Sequence, residues 1–284
     1  NKTNSQPRKI LLYIVYGEDQ IYYDGAIFSI LTFKKWLLDN SNIEIVVLTE
    51  KPKKFQKYEI NTYKISAKQK EDWSLNGNYH FRIKNRGLAF IMDKLALKGA
   101  DKVLFLDTDS YFHKSPLKLF DLINTNQALL YLNEGLVHQR KRFSVYVKYL
   151  EGKKIIIDGE IYELNNTSAL WGSLMIGITA NMKSSIDWAD KLMLEFFKIV
   201  PVHTIEEFAL SEALLKKYRI VEGKKYVSLY STSRKKDYAR KMLSNFFERN
   251  ISKKIKQQVI LAQKVKIKRP LHIIIKQRFQ SLFN

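Results

Sequence analysis

The stretch that decides the fold is residues 102–112, KVLFLDTDSYF, in which Lys102–Leu106 precedes two aspartates separated by one threonine. A continuous apolar run of this kind is typical of a strand buried on both faces of a parallel sheet. Asp107 and Asp109 follow it directly. Residues i and i+2 of an extended chain point to the same side. The sequence therefore predicts two neighbouring carboxylates at the carboxyl end of a buried strand, where open α/β folds bind ligands.

Strands and helices alternate on both sides of this run. Apolar runs at Ile10–Val15 and Ile43–Thr49 predict two more buried strands. A helix is predicted over residues 84–98, before Gly99, because apolar side chains recur there at helical spacing: Leu88, Ile91, Met92 and Leu95. Later segments predict strands near residues 63–65, 128–132, 155–157, 161–164, 170–178 and 227–230, and helices near 26–38, 186–196 and 205–217, the last capped by Thr204. We expect an α/β fold with a mixed, mainly parallel sheet flanked by helices.

The composition excludes several classes of protein. The chain has 284 residues, of which 45% are hydrophobic and 13% aromatic, so it can bury a large core and does not have the composition of a disordered chain. It has no cysteine, which excludes disulfides, thiolate zinc sites and thiol catalysis and fits a reducing compartment. No apolar run approaches the ~20 residues that span a bilayer, and no stretch has the pattern of a signal peptide.

Positive charge is concentrated at the C-terminal end. The net charge is +21, and residues 234–284 hold 15 of the lysines and arginines against only Asp237 and Glu248. We therefore divide the chain into an α/β domain at 1–233 and a basic region at 234–284. Apolar residues recur in this region at helical spacing and predict two or three basic amphipathic helices, interrupted at Pro270.

A basic amphipathic helix is typical of a segment that lies on an anionic membrane surface. Four phenylalanines are the candidate apolar anchors: Phe246, Phe247, Phe279 and Phe283. The alternative is that the apolar stripe packs on the rest of the protein and the lysines face solvent. Nucleic acid is the less favoured partner, since no nucleic-acid-binding motif accompanies the charge.

Residues 102–112, followed by Ser115-Pro116-Leu117, resemble the DxD region of GT-A nucleotide-sugar glycosyltransferases, as in glycosyltransferase family 8 and related bacterial sugar transferases. The resemblance follows the element order of residues 8–235 and implies a Rossmann-like GT-A fold. It implies that Asp107 and Asp109 bind Mn²⁺ or Mg²⁺ against the diphosphate of a UDP-sugar. Asp109 would be the firmer ligand, and Asp107 would contact the cation, the ribose or both. Carboxylate oxygens suit both cations. The implied reaction is sugar transfer to a glycan, lipopolysaccharide or glycolipid at the cytoplasmic face of a membrane.

Two further segments resemble parts of the family's donor site. Residues 80–84, HFRIK, resemble the segment whose arginine approaches the diphosphate, which implies this role for Arg82 and, more weakly, for Lys84. A planar guanidinium suits phosphate oxygens. Residues 166–173, NTSALWGS, resemble the strand that lines the donor-sugar pocket, with Trp171, Gly172 and Ser173 at the close approach.

Residues 204–210, TIEEFAL, resemble a helix start at which an acidic residue lies by the sugar and the acceptor. Glu206 or Glu207 would there deprotonate an acceptor hydroxyl or stabilise an oxocarbenium-like centre. The alternative is structural, because glutamate is favoured in the first turn of any helix.

The nucleotide contacts are less specific. The loop after the first strand contacts the uracil in this family, so Tyr16 and Tyr23 are candidates for stacking on the base. Arg234, Lys235 and Lys236 are candidates for the diphosphate, Lys235 foremost; the alternative is that they only begin the basic region. The sequence departs from the family at residues 227–236, VSLYSTSRKK, which lack the late histidine that often completes the metal site.

Two other functions remain open from the sequence. One is a non-enzymatic protein that binds nucleic acid or another anionic surface through the basic region. The other is a nucleotidyltransferase, which would use the same carboxylate pair. The acidic loop YGED at residues 16–19 argues against the latter, since such enzymes usually present a glycine-rich basic loop there.

Overall fold

The computed structural model describes residues 6–37, 42–270 and 273–274. The strands of the described chain are β1 (Lys9–Val15), β2 (Ile43–Thr49), β3 (Asn61–Lys64), β4 (Lys102–Leu106), β5 (Ser110–Phe112), β6 (Gln127–Leu136), β7 (Ile155–Ile157), β8 (Glu160–Tyr162), β9 (Ala169–Thr179), β10 (Arg219–Glu222) and β11 (Val227–Leu229). Its α-helices are α1 (Gln20–Lys34), α2 (Ala67–Trp73), α3 (Arg82–Lys94), α4 (Leu117–Leu122), α5 (Ser144–Leu150), α6 (Lys183–Ile199), α7 (Ile205–Leu215), α8 (Ser233–Asn250) and α9 (Ile255–Ala262).

A seven-stranded sheet forms the centre, in the order β10-β6-β9-β4-β1-β2-β3. Strand β9 runs antiparallel to β4 and β6, and the other neighbours in the sheet are parallel. Strands β5 and β11 form a separate antiparallel pair, and β7 and β8 form a hairpin. The predicted α/β architecture with a mixed, mainly parallel sheet is confirmed.

Helices cover both faces of the sheet, which explains why its strands are continuously apolar. Leu11 and Tyr13 of β1 face one core with α1 and α8, whereas Ile10 and Leu12 face a second core with α3, α6 and α7. Each side chain of the strand is therefore removed from water, whichever face it points to. The apolar runs were therefore sufficient to locate β1, β2 and β4 from the sequence.

Helix α3 ends at Lys94, four residues before its predicted end. Ala96 has a φ of 49°, in the left-handed region, and the Leu97 amide bonds the Met92 carbonyl at 3.0 Å. This bond satisfies one of the helix's last carbonyls, so the helix stops there. The predicted cap of α7 is also corrected: no cap hydrogen bond comes from the Thr204 side chain, whose hydroxyl lies 2.6 Å from that of Tyr146.

The basic region packs against the rest of the chain. Helix α8 begins at Ser233, beside the predicted boundary, and its apolar face joins the core around α1. Phe246 meets Phe28 edge to face at a centroid distance of 5.4 Å, and both Phe246 and Phe247 are buried. Their prediction as membrane anchors is therefore wrong. Phe279 and Phe283 lie outside the described residues.

Across the described part of the chain, no helix combines the length and the apolar character needed to cross a membrane.

Candidate functional site

The candidate site is built where β4 ends. The amide of Asp107 donates to the Leu174 carbonyl of β9 at 2.8 Å, and the Ser110 hydroxyl donates to the Asp107 carbonyl at 2.8 Å. The Tyr230 amide donates to the Asp109 carbonyl at 3.0 Å. These bonds hold the loop of the two aspartates between the central sheet and the segment after β11.

The middle of this loop rests on helix α1. A Cβ on Gly25 would lie 2.2 Å from the Thr108 carbonyl oxygen, so this close approach requires glycine. The Tyr230 hydroxyl donates to the same carbonyl at 3.0 Å. The positions of the two aspartates are thus fixed by backbone contacts on either side of Thr108.

Asp107 and Asp109 line one cavity of about 330 Å³, which we call the aspartate cavity. Its walls come from the end of β1, the start of α1, the start of α3 and the first turn of α8: Ile14, Val15, Tyr16, Gly17, Tyr22, His80, Phe81, Lys84, Phe105 and Lys236. The carboxyl ends of β1 and β4 meet here, as expected for adjacent parallel strands.

Two lysines lie in this cavity with the aspartates. Lys236 Nζ is 3.3 Å from Oδ2 of Asp109. Lys84 is buried and donates to Glu206 Oε1 at 2.9 Å and to the Ser173 hydroxyl. Burial by itself favours the neutral amine, but the Glu206, Asp107 and Glu207 carboxylates together raise the pKa of Lys84 above its usual value. The site therefore combines negative and positive charges.

The electrostatics of Asp107 are set by its burial. Burial raises its pKa to about 7; Lys84 opposes this shift, whereas Asp109, Glu207 and Glu206 add to it. Burial also raises the pKa of the nearby Tyr16 phenol, and the charge of Asp107 adds to that shift. Burial thus disfavours the charged form of Asp107, a condition that a bound cation would relieve.

The two candidate catalytic glutamates differ in their surroundings. Glu206 accepts hydrogen bonds from Lys84 and from the Tyr79 hydroxyl, the latter at 3.0 Å. Glu207 accepts from the Ser173 amide at 3.2 Å and from its hydroxyl at 3.0 Å. Burial, followed by the charge of Glu206, raises the pKa of Glu207 to about 7. Neither glutamate lines the aspartate cavity; both connect to it through Lys84 and Ser173.

The structure places Arg82 away from the aspartate cavity. Its Nε and Nη2 donate to Oδ1 and Oδ2 of Asp190 on α6, both at 2.8 Å, and its Nη1 donates to the Asp72 carbonyl. The guanidinium fork is thus occupied by a carboxylate of the protein itself. The predicted phosphate contact is corrected to a structural ion pair between α3 and α6.

Tyr23 is also corrected. It is fully buried, and its hydroxyl donates to the Gly17 carbonyl at 2.8 Å. The neighbouring Tyr22 lines the cavity instead. Successive side chains of a helix point about 100° apart, so only one of the two can face the cavity.

Three more predicted residues lie outside the cavity lining. Trp171 is buried in the core, and its amide donates to the Ser211 hydroxyl at 2.9 Å. A Cβ on Gly172 would make only ordinary contacts, the nearest 3.4 Å from Glu134 Oε1, so no close approach requires glycine there. Lys235 lines a different cavity, whereas the neighbouring Lys236 lines the aspartate cavity.

Two residues of the site were not selected from the sequence. Tyr22 and Tyr230 carried no distinguishing pattern, because their roles depend on contacts between distant segments. Gly25 directly precedes the helix predicted near residues 26–38, whereas the structure places it inside α1, where an isolated glycine indicates a close packing contact.

The sequence matches no protein-family model and no curated protein. Among the described residues, no three acidic or histidine side chains lie together in a group that could hold a metal ion. The chemistry of the site therefore has to be argued from its own residues: two adjacent carboxylates, two lysines, aromatic side chains and a neighbouring acidic pair.

Proposed function

We propose that this chain is a GT-A glycosyltransferase that uses a divalent cation to transfer a sugar from a nucleotide-sugar, most simply a UDP-sugar. The acceptor would be a glycan, lipopolysaccharide or other glycolipid at a membrane surface. One observation carries the proposal: Asp107 and Asp109, at the carboxyl end of the central strand β4, line a single cavity with Lys84 and Lys236. That cavity offers carboxylates for a cation and ammonium groups for phosphates.

The donor set fits Mn²⁺ or Mg²⁺. Oδ1 of Asp109 is buried and has no hydrogen-bond partner among the described residues, as expected for an oxygen that awaits a ligand. Asp107 and Asp109 would hold the cation. Mg²⁺ commonly takes one or two carboxylates and completes its shell with water and substrate phosphate, which agrees with a site where two carboxylates meet and no third acidic ligand is found among the described residues. When bound, the cation would supply charge neutralisation at the diphosphate.

The remaining lining suits a nucleoside diphosphate. Lys84 and Lys236 supply positive charge for the phosphates, which stabilises a departing nucleotide. Tyr16, Tyr22 and Phe81 supply aromatic surface on which a base can stack. Glycine at position 17 has a φ of 90° and lies in the loop between the first two of these aromatic residues.

Glu207 is the better candidate for proton transfer at the reacting centre. Its pKa of about 7 lies close to neutral pH, where a general base is most effective. Glu206 accepts hydrogen bonds from Lys84 and Tyr79, so its carboxylate is already engaged, and its role here is to position Lys84. In this proposal Glu207 accepts the proton of an acceptor hydroxyl, and Ser173 orients its carboxylate.

The test is the binding of UDP to the full chain by calorimetry, with and without Mn²⁺, together with hydrolysis of a panel of UDP-sugars. We expect Mn²⁺-dependent binding that falls about a hundredfold in D107A/D109A, equivalent to roughly 3 kcal/mol. Asp72→Ala is the matched control, because Asp72 is an exposed acidic residue outside the cavity. Equal UDP affinity in wild type and the double variant would refute the proposal.

A further inference from the structure

A second cavity lies beside the aspartate cavity and has no role in the function proposed above. We call it the tail cavity, because the segment that follows α9 forms one wall of it. Its volume is about 590 Å³. Cavities of roughly 300–1,000 Å³ are the usual size for small-molecule sites.

The tail cavity and the aspartate cavity are lined by residues that are close together in the sequence. Asp109 lines the aspartate cavity, and Tyr111 and Phe112, only two and three residues further along, line the tail cavity. Lys235 and Lys236 are consecutive on α8, yet Lys235 faces the tail cavity and Lys236 the aspartate cavity. A ligand of the tail cavity would therefore lie next to the elements that hold the carboxylate pair.

The interior of the tail cavity is mostly apolar. Phe112, Leu229, Tyr238, Val265 and Ile267 supply hydrophobic surface. Its tail wall is fixed in place, because the Ile267 amide donates to the Tyr111 hydroxyl at 3.1 Å. Such a lining suits a hydrocarbon segment.

The charged residues of the tail cavity all have one sign. Lys235, Lys266, Lys268 and Arg269 line it, whereas no aspartate or glutamate does so among the described residues. The side chains of Lys235, Lys266 and Lys268 belong to exposed residues and form no ion pair within the described part of the chain. The cavity therefore pairs an apolar interior with a cationic rim, of which Lys235, Lys266 and Lys268 have no carboxylate partner among the described residues.

We propose that the tail cavity binds the phosphate-bearing headgroup and the first methylenes of an anionic membrane lipid. The lysines would hold the phosphate, and the apolar interior would take the adjoining chain. This inference deepens the proposed function and rests on it, since it makes the acceptor, or the surface that presents it, a lipid phosphate. It also gives the basic region a binding site that does not depend on the buried Phe246 and Phe247.

The experiment is a calorimetric titration of the full chain with dodecyl phosphate below its micellar concentration. Inorganic phosphate and dodecylphosphocholine, which has the same chain but no net charge, are the comparison ligands. We expect saturable binding of dodecyl phosphate at one site, at least about tenfold tighter than either comparison ligand. Equal affinity for inorganic phosphate would indicate a phosphate site and overturn the lipid assignment, and absence of saturable binding would overturn the proposal altogether.

Matched variants separate the cavity from the general charge of the tail. K266E/K268E removes two lining lysines and should weaken binding about thirtyfold. K254E/K264E makes the same change in net charge at exposed lysines outside the lining, and its affinity should stay within about twofold of wild type. Equal losses in the two double variants would overturn the proposal.

A second pair tests the apolar interior. Val265→Asp places a carboxylate in the lining and should weaken binding of dodecyl phosphate, whereas Ile260→Asp, at a residue that is 60% exposed, should not. Circular dichroism confirms that each variant is folded. Equal binding by Val265→Asp and wild type would contradict a site in this cavity.

The two proposals fail separately. Asp109→Ala should leave dodecyl phosphate binding unchanged, and K266E/K268E should leave Mn²⁺-dependent UDP binding unchanged. If wild type binds dodecyl phosphate but shows no Mn²⁺-dependent binding of UDP, only the transferase proposal is refuted. If wild type binds UDP in the presence of Mn²⁺ but does not bind dodecyl phosphate, only the lipid site is refuted.

Discussion

Lys236 Nζ lies 3.3 Å from Oδ2 of Asp109, so the first turn of the basic helix α8 provides a cation for the second aspartate of the pair. The relationship joins two features that are 127 residues apart in the sequence. Arg240, one turn further along α8, holds Asp19 before α1 through two bonds of 2.5 and 2.8 Å. The basic region is therefore part of the wall of the candidate site.

Replacement of Lys236 tests this contact. We expect Lys236→Ala to tighten binding of Mn²⁺ to the nucleotide-free protein by about threefold to tenfold, because a competing positive charge beside Asp109 is removed. The same variant should weaken Mn²⁺-dependent UDP binding, since a phosphate contact is lost. Electron paramagnetic resonance titration of Mn²⁺ measures the first effect. Lys235→Ala is the control, and identical Mn²⁺ affinity in the two variants would contradict the contact.

The approach of Gly25 to Thr108 predicts a stability effect. Gly25→Ala places a Cβ against a backbone carbonyl at 2.2 Å, so α1 or the aspartate loop has to shift. We expect a loss of about 1–3 kcal/mol in urea denaturation, together with weaker UDP binding. Gly172→Ala is the matched control, because its Cβ meets only ordinary contacts. An equally small effect at both positions would show that the loop does not depend on α1.

Arg82→Ala should affect stability far more than binding. Removal of this guanidinium leaves Asp190 buried with only the longer contact to Arg86, at 3.7 Å. Breaking a buried pair costs about 3–5 kcal/mol. Urea denaturation and UDP calorimetry, both at a temperature where the variant is folded, separate the two effects. A large loss of UDP affinity with normal stability would instead support a contact between Arg82 and the diphosphate.

The carboxyl groups with raised pKa predict a pH effect of defined sign. Between its ordinary value of 3.8 and about 7, Asp107 binds more protons in the folded than in the unfolded protein. Its contribution to stability is therefore present at acid pH and is lost as the pH rises through this window, by at most about 1.4 kcal/mol per pH unit for one group. Denaturation of wild type and Asp107→Asn at pH 4 to 7.5 measures the difference.

Asp107→Asn cannot ionise and should gain stability relative to wild type as the pH rises. Glu207→Gln should behave in the same direction, because burial also raises the pKa of Glu207 to about 7. If the free energy of unfolding has the same pH dependence in wild type and both variants, the raised pKa values of Asp107 and Glu207 are contradicted.

The sequence by itself determined the sheet and the position of the carboxylate pair. Continuous apolar runs gave β1, β2 and β4 with bounds that the structure matches within one residue, because strands covered on both faces need apolar side chains at every position. The placement of Asp107 and Asp109 after β4 followed from the same pattern. Glu206 and Glu207 were likewise found in the first turn of a predicted helix.

Only the tertiary structure decided which charged side chains meet the pair. Arg82 lies two residues from Lys84, yet it binds Asp190 while Lys84 faces the cavity. Lys235 and Lys236 likewise face different cavities. Residue type shows what a side chain can bind, whereas its partner depends on helix rotation and on the contact of segments distant in sequence. A local sequence pattern contains neither kind of information. The contribution of α8 to the wall of the site could therefore be found only in the folded chain.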